Sequence, residues 1–410
     1  MQVTSQTISI KEIAGGSVIS PKGFKADGVH AGLRYSKKDL GIIISDLPAN
    51  CAAVYTTSHF QAAPLKVTKD SIAMEQKIQA MIVNSACANA CTGEKGLNDA
   101  FQMRKWTAEK FGLAEHLVAV ASTGVIGEFL PMEKIEQGIQ KLHPECDPLH
   151  SDAFQTAILT TDIVMKHCCY SAIIDGVTVS MGGAAKGSGM INPNMATMLG
   201  FITTDANIDS THLQAALGQV TDTSFNQITV DGDTSTNDMV LCLANGLSGN
   251  KQLTPNHLDW EVFVELLSKT CESLARQIAK DGEGATKLIE VNVQGAECDL
   301  DARKIAKQIV GSNLVKTAVY GEDANWGRII GAIGQADAHV NPYTVDIAIG
   351  PIVMLKNSEP QPFSEEDASE YLRNPNIQIY VDLHQGNGTG KAWGCDLSYD
   401  YVKINASYRS

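Results

Sequence analysis

Short β-branched and aromatic runs recur along the whole chain, each bounded by Gly, Asn, Asp or Pro. GIIIS (41–45), AAVYTT (52–57), AMIVNS (80–85), LVAVAS (117–122), YSAII (170–174) and VTVSM (177–181) occupy the first half. MLGFITT (198–204), DMVLCLA (238–244), LIEVNV (288–293), YTVDIAI (343–349), IQIYVDL (377–383) and LSYDYVKI (397–404) follow. The segments between them carry helical periodicity. LNDAFQMRKWTAEKFG (97–112) sets Leu97, Phe101, Trp106 and Phe111 on or near one face and stops at Gly112. LDWEVFVELLSKTCESLARQIAKDG (258–282) reads as the longest helix, with basic Arg276 and Lys280 before Gly282. DARKIAKQIVGSN (301–313) is another, and SEEDASEYLR (364–373) opens on the capping signal Ser364-x-x-Asp367. Strands grouped with helices, without strict alternation, predict an α+β layered sandwich.

The length of 410 residues suits two domains or one large two-layer body, and no Pro/Gly/Ser linker divides it. A net charge of −14 argues against nucleic acid or an anionic membrane as the main partner, since both need basic surface. No stretch approaches the roughly 18 apolar residues of a membrane span, and MQVTSQTISIKEIAGG carries no secretory pattern. The ten cysteines lack paired CxxC spacing, so the expectation is reduced, largely buried thiols in a cytoplasmic enzyme without a metal.

KGSGMINPNMATMLGF (186–201) is longer than a strand connection needs, and it crowds turn-formers against Ala196 and Thr197. A threonine hydroxyl becomes a nucleophile when a base takes its proton, and a threonine at a chain N-terminus can use its own amine. For Thr197 that requires the Ala196–Thr197 bond to be cut, which Thr197 Oγ1 can do by attacking the Ala196 carbonyl and leaving an ester for water. The freed α-amine has a reference pKa of about 7.7–8.0 against about 10.4 for lysine, so it is the better base at neutral pH. The plain alternative is a Gly-rich loop whose Thr opens a strand.

KGSGMINPNMATML resembles the autocleavage segment of the ornithine acetyltransferase (glutamate N-acetyltransferase) family of arginine biosynthesis. NSACANACTG (84–93), STGVIG (122–127), DGDTSTND (231–238), DGEGATK (281–287), GEDANWGRI (321–329) and WGCDLSYDYVKINASYR (393–409) resemble further segments of that family, in its order. The resemblance implies a self-processing sandwich of the N-terminal-nucleophile-like type, cut into interlocked fragments 1–196 and 197–410. It makes Thr197 the nucleophile that carries acetyl as an ester, with Thr123 and Gly124 as oxyanion donors. Thr160, Lys186, Thr197, Glu283, Asn405 and Ser410 become the substrate contacts, although Thr161 beside Thr160 is chemically equivalent. The implied reaction moves acetyl from N-acetylornithine to glutamate by a ping-pong cycle that needs no metal or bound cofactor. Some members also use acetyl-CoA as donor, and the family assembles as a heterotetramer of two α and two β fragments in the cytoplasm. The chain departs from the family at Ala86-Cys87, where Gly-Asn is commoner, at Ser407 in place of Asp, and at Ser410 in place of Thr.

Two Gly-rich stretches are decoys for phosphate binding. GGAAKGSG (182–189) lacks the Gly-Lys-Ser/Thr order, and GNGTGKAWG (386–394) reads as a hairpin between IQIYVDL and LSYDYVKI. The nearer rival is a self-processing amidohydrolase or aminopeptidase, with the same threonine but water as acceptor.

Overall fold

GIIIS and AAVYTT belong to one long strand, Leu40–Tyr55, which carries Pro48 through a register shift between Ile44 and Ala49. A bulge is where a sheet tolerates proline. The first half of this strand pairs with Phe24–Val29 and Lys77–Asn84, and the second half with Met239–Ala244. The computed structural model describes residues 9–192 and 198–407. Among them, nine strands make the first sheet. In space they run Lys11–Glu12, Lys166–Ile174, Val177–Lys186, Leu199–Thr204, Met239–Ala244, Leu40–Tyr55, Lys77–Asn84 and Val118–Ser122, with Phe24–Val29 beside Leu40–Tyr55. Lys186 stands opposite Leu199 in an antiparallel pair, whereas Lys77–Asn84 and Val118–Ser122 are parallel.

Both faces of this sheet are covered, so its central strands are buried at every residue instead of alternating. Helices Ser210–Thr223 and Trp260–Lys280 pack on one face, and Pro148–Ile158 on the other. Phe263, Leu266, Leu267, Leu274 and Ile278 of the long helix are fully buried at helical spacing. Leu288 and Trp393 of a second, seven-stranded sheet join that same core, so the long helix is shared between the sheets. Helix Asp299–Gly311 covers the opposite face of the second sheet. The α+β layering is as expected. Among the described residues, no helix is long and apolar enough to cross a membrane.

Helix Gly93–Phe111 ends on Gly112 in the left-handed conformation, as its sequence predicts. Its fully buried side is nonetheless the small one, Gly96, Ala100 and Met103, with Leu97, Phe101, Trp106 and Phe111 only partly covered. Ser364 caps Glu365–Leu372, accepting the Asp367 N–H. Two expectations fail at the C-terminal end. LSYDYVKI is not a strand; it holds helix Tyr399–Ala406, capped by Ser398, with Tyr399 and Val402 exposed. GNGTGKAWG is not a hairpin loop either. It contains strand Gly388–Cys395, and Leu288–Ala296 separates that strand from Asn376–Asp382. Its glycines are there for packing: a Cβ on Gly388 would lie 2.3 Å from the Cys298 carbonyl carbon, and one on Gly390 would lie 2.4 Å from Arg303 N. Cys91, Cys146 and Cys298 are exposed, the other cysteines are buried, and all are free thiols.

Candidate active site

The parallel strands Lys77–Asn84 and Val118–Ser122 end side by side, and the loops that leave them, NSACANACTG and STGVIG, are zipped together. Thr123 N–H donates to Asn84 O at 3.0 Å, Val125 N–H to Ala86 O at 2.8 Å, and Ala88 N–H to Val125 O at 3.0 Å. Ser122 Oγ donates to Asn84 Oδ1 at 2.6 Å, and Asn84 Nδ2 to Cys87 O at 2.9 Å. Asn237, from DGDTSTND, locks the zip by donating to Ala88 O at 2.5 Å and Ser122 O at 2.8 Å. Gly124 sits at φ +131°, where a Cβ would fall 2.0 Å from Ala86 O, so the loop admits only glycine there. Among the described residues, no acceptor takes the Gly124 N–H.

Ala86 itself is at φ +93°, a conformation that strains any residue with a Cβ. Ala86→Gly should therefore stabilise the protein by about 1 kcal/mol, read as a higher denaturant midpoint at unchanged slope.

Lys186 ends strand Val177–Lys186, and its Nζ donates to Thr123 Oγ1 at 3.2 Å. A hydroxyl that accepts this bond keeps its own proton for another acceptor. Burial pushes the Lys186 ammonium below the ordinary lysine value; Asp162, Asp238 and Glu283 oppose that shift, and Lys166 adds to it. Asp162 accepts the N–H groups of Thr160 at 2.9 Å and Gly187 at 2.7 Å, together with Lys166 Nζ at 2.7 Å. Burial raises the Asp162 pKa, but the Lys186 and Lys166 ammoniums outweigh it and hold the carboxyl well below the usual range. Glu283 follows the long helix and is buried, and its Oε2 accepts Asn405 Nδ2 at 2.8 Å. The Gly-rich run makes room for it, since a Cβ on Gly189 would lie 2.3 Å from Glu283 Cδ.

Thr123, Gly124, Thr160, Thr161, Lys186, Glu283 and Asn405 line one cavity of about 290 Å³, closed by apolar Val125, Ile126, Met190 and Met198. Its size lies just below the roughly 300–1,000 Å³ of ligand sites and suits a single amino-acid derivative. Ala196, Thr197 and Ser410 lie outside the described residues; Met198, next in the chain after Thr197, is in the lining. A larger hollow of about 730 Å³ on the second sheet contains none of these residues. Among the described residues, no cluster of His, Cys, Asp or Glu is arranged to hold a metal ion. The sequence reading passed over Asp162, Lys166 and Asn237. The first two stand four apart, which on its own reads as a solvated surface pair.

A family model described as "ArgJ family" matches residues 25–410. The arginine biosynthesis bifunctional protein ArgJ of Geobacillus kaustophilus (strain HTA426) is 71% identical over 410 residues, covering 100% of each chain. The protein of the same name from Bacillus subtilis (strain 168) is 63% identical over 395 residues, covering 96% of this chain and 97% of its own. The crystal structure of arginine biosynthesis bifunctional protein argJ from Bacillus halodurans matches at a TM-score of 0.51 and 65% identity, covering 100% of that chain and 52% of this one. With likeness running from end to end over the segments that build the cavity, this chain belongs to the ArgJ family.

Proposed function

We propose that the chain transfers acetyl from N2-acetyl-L-ornithine to L-glutamate through an acetyl ester on Thr197, after cutting itself between Ala196 and Thr197. It is an acyltransferase of arginine biosynthesis. The observation that carries the reading is the single cavity in which segments from five parts of the sequence bring Thr123, Gly124, Thr160, Lys186, Glu283 and Asn405 together.

In the cycle, the Thr197 α-amine takes the hydroxyl proton and the oxygen attacks the acetyl carbonyl. The Gly124 N–H and the Thr123 hydroxyl receive the developing oxyanion, the latter with its proton turned outward by Lys186. Lys186 also meets the substrate α-carboxylate, while Glu283, braced by Asn405, meets the ornithine side-chain ammonium. Ornithine leaves with the proton, glutamate enters, and its α-amine takes the acetyl group by the reverse steps. No metal or bound cofactor has a role in these steps.

The solved relative is matched along its full length and spans 52% of this chain, the share that a fragment 197–410 would make up. Acetyl-CoA as a second acetyl donor agrees with the word bifunctional in the relatives' names. The reading further makes this a cytoplasmic enzyme of two α and two β fragments.

The test supplies isotope-labelled acetyl on acetylornithine together with glutamate. The expected result is label in N-acetylglutamate, matched by released ornithine; label in free acetate would identify a hydrolase instead.

A further inference from the structure

Asp162 lies behind the cavity, its side chain fully buried and outside the lining. Its Oδ2 accepts the Thr160 N–H at 2.9 Å and the Thr160 hydroxyl at 3.4 Å, and its Oδ1 accepts the Gly187 N–H and Lys166 Nζ, both at 2.7 Å. Lys166, also fully buried, reaches on to Asp281 Oδ2 at 2.5 Å. The Asp281 carbonyl accepts the Ser188 hydroxyl at 2.7 Å, and Ser188 O accepts the Glu283 N–H at 3.0 Å. One run of polar contacts thus ties together Thr160, Lys186–Gly187 and Glu283, which are distant in sequence. Buried ion pairs gain little stability over apolar residues of the same size, so a purely structural role does not call for these charges.

Resting on the acetyl-transfer reading, we propose that Asp162 is a positioning residue that holds these three substrate-contacting segments in register and supplies the counter-charge to Lys186. Its effect on the reaction is exerted through Lys186, which has to stay an ammonium both to hold a carboxylate and to orient the Thr123 hydroxyl. The groups facing Lys186 are Asp162, Asp238 and Glu283, which favour that charge, and Lys166, which opposes it. Asp281 belongs to the same buried run but pairs with Lys166.

The test is the pH profile of kcat/KM for ornithine release from acetylornithine, expressed per mole of cut enzyme. Its rising limb reports the Thr197 amine becoming neutral, and its falling limb reports Lys186 losing its proton. Asp162→Asn removes a negative charge beside Lys186, so the falling limb should move to lower pH by about one unit or more, with KM rising more than kcat falls. Asp281→Asn, whose lost charge pairs with Lys166 and not with Lys186, should move that limb distinctly less. Equal movement in the two variants, or none in Asp162→Asn, overturns the proposal. If Asp162→Asn does not fold, Asp162→Glu retains the carboxylate: an unmoved limb with a raised KM supports the proposal, and a moved limb overturns it. A wild type that releases no ornithine overturns the acetyl-transfer reading and this proposal together.

Discussion

Thr197→Ala should run as one uncut chain on a denaturing gel and lose acetyl transfer by roughly 10⁴-fold or more. Two functions disappear with one oxygen. In the proposed mechanism the hydroxyl is the attacking group in the cut at Ala196–Thr197 and again in each turnover, and without the cut there is no α-amine, with a reference pKa of about 7.7–8.0, to serve as base. The wild type should give two bands, with the second fragment starting Thr197-Met198-Leu199 on N-terminal sequencing. An intact wild-type chain that still transfers acetyl would remove Thr197 from the mechanism.

Thr123→Ala should lower kcat by about 10²–10³, corresponding to roughly 2.7–4 kcal/mol for one oxyanion donor, with little change in KM. The hydroxyl is held at the end of a strand by the Thr123 N–H bond to Asn84 O and receives Lys186 at 3.2 Å, so it has little freedom to reorient. In the proposed self-cleavage the Ala196 carbonyl passes through the same kind of tetrahedral oxyanion. The variant should therefore also be cut slowly, and a gel time course beside single-turnover acetyl transfer measures both defects. Loss of transfer with normal cutting would mean that the two reactions use different oxyanion donors. Thr123→Ser, which keeps the hydroxyl, should recover most of both rates.

The sequence revealed elements wherever local signals agreed with their surroundings. Gly112 and Ser364 mark the end and the start of their helices, and the structure uses both; the long helix shows through its apolar periodicity, while Asp281, not Gly282, is its C-cap. LSYDYVKI misled because its β-branched residues suggested a strand, while Ser398 caps a helix whose Tyr399 and Val402 face outward. GNGTGKAWG misled because its glycines mark the close approach of a helix, a contact visible only in three dimensions. For the site, motif likeness pointed to residues that share the cavity. Asp162, Lys166 and Asp281 stayed hidden because an acid or a lysine gives no sequence signal that it will be buried. Asn237 was within a motif already noticed, but its bonds reach 115 and 149 residues back along the chain.

The strand order of the first sheet has a consequence for the life of the molecule. Leu199–Thr204 and Met239–Ala244, from beyond residue 197, lie between Val177–Lys186 and Leu40–Tyr55, from before it. Fragment 1–196 alone would therefore have a gap two strands wide, with raw edges facing each other across it. The uncut chain fills that gap with its own tail, in a first-order process. After the proposed cut, two unfolded pieces would first have to meet, and recovery would depend on concentration. Thr197→Ala should regain its fold on dilution from denaturant at any concentration, whereas the mature enzyme should do so poorly when dilute. The proposed cut would thus trade renaturability for a working amine.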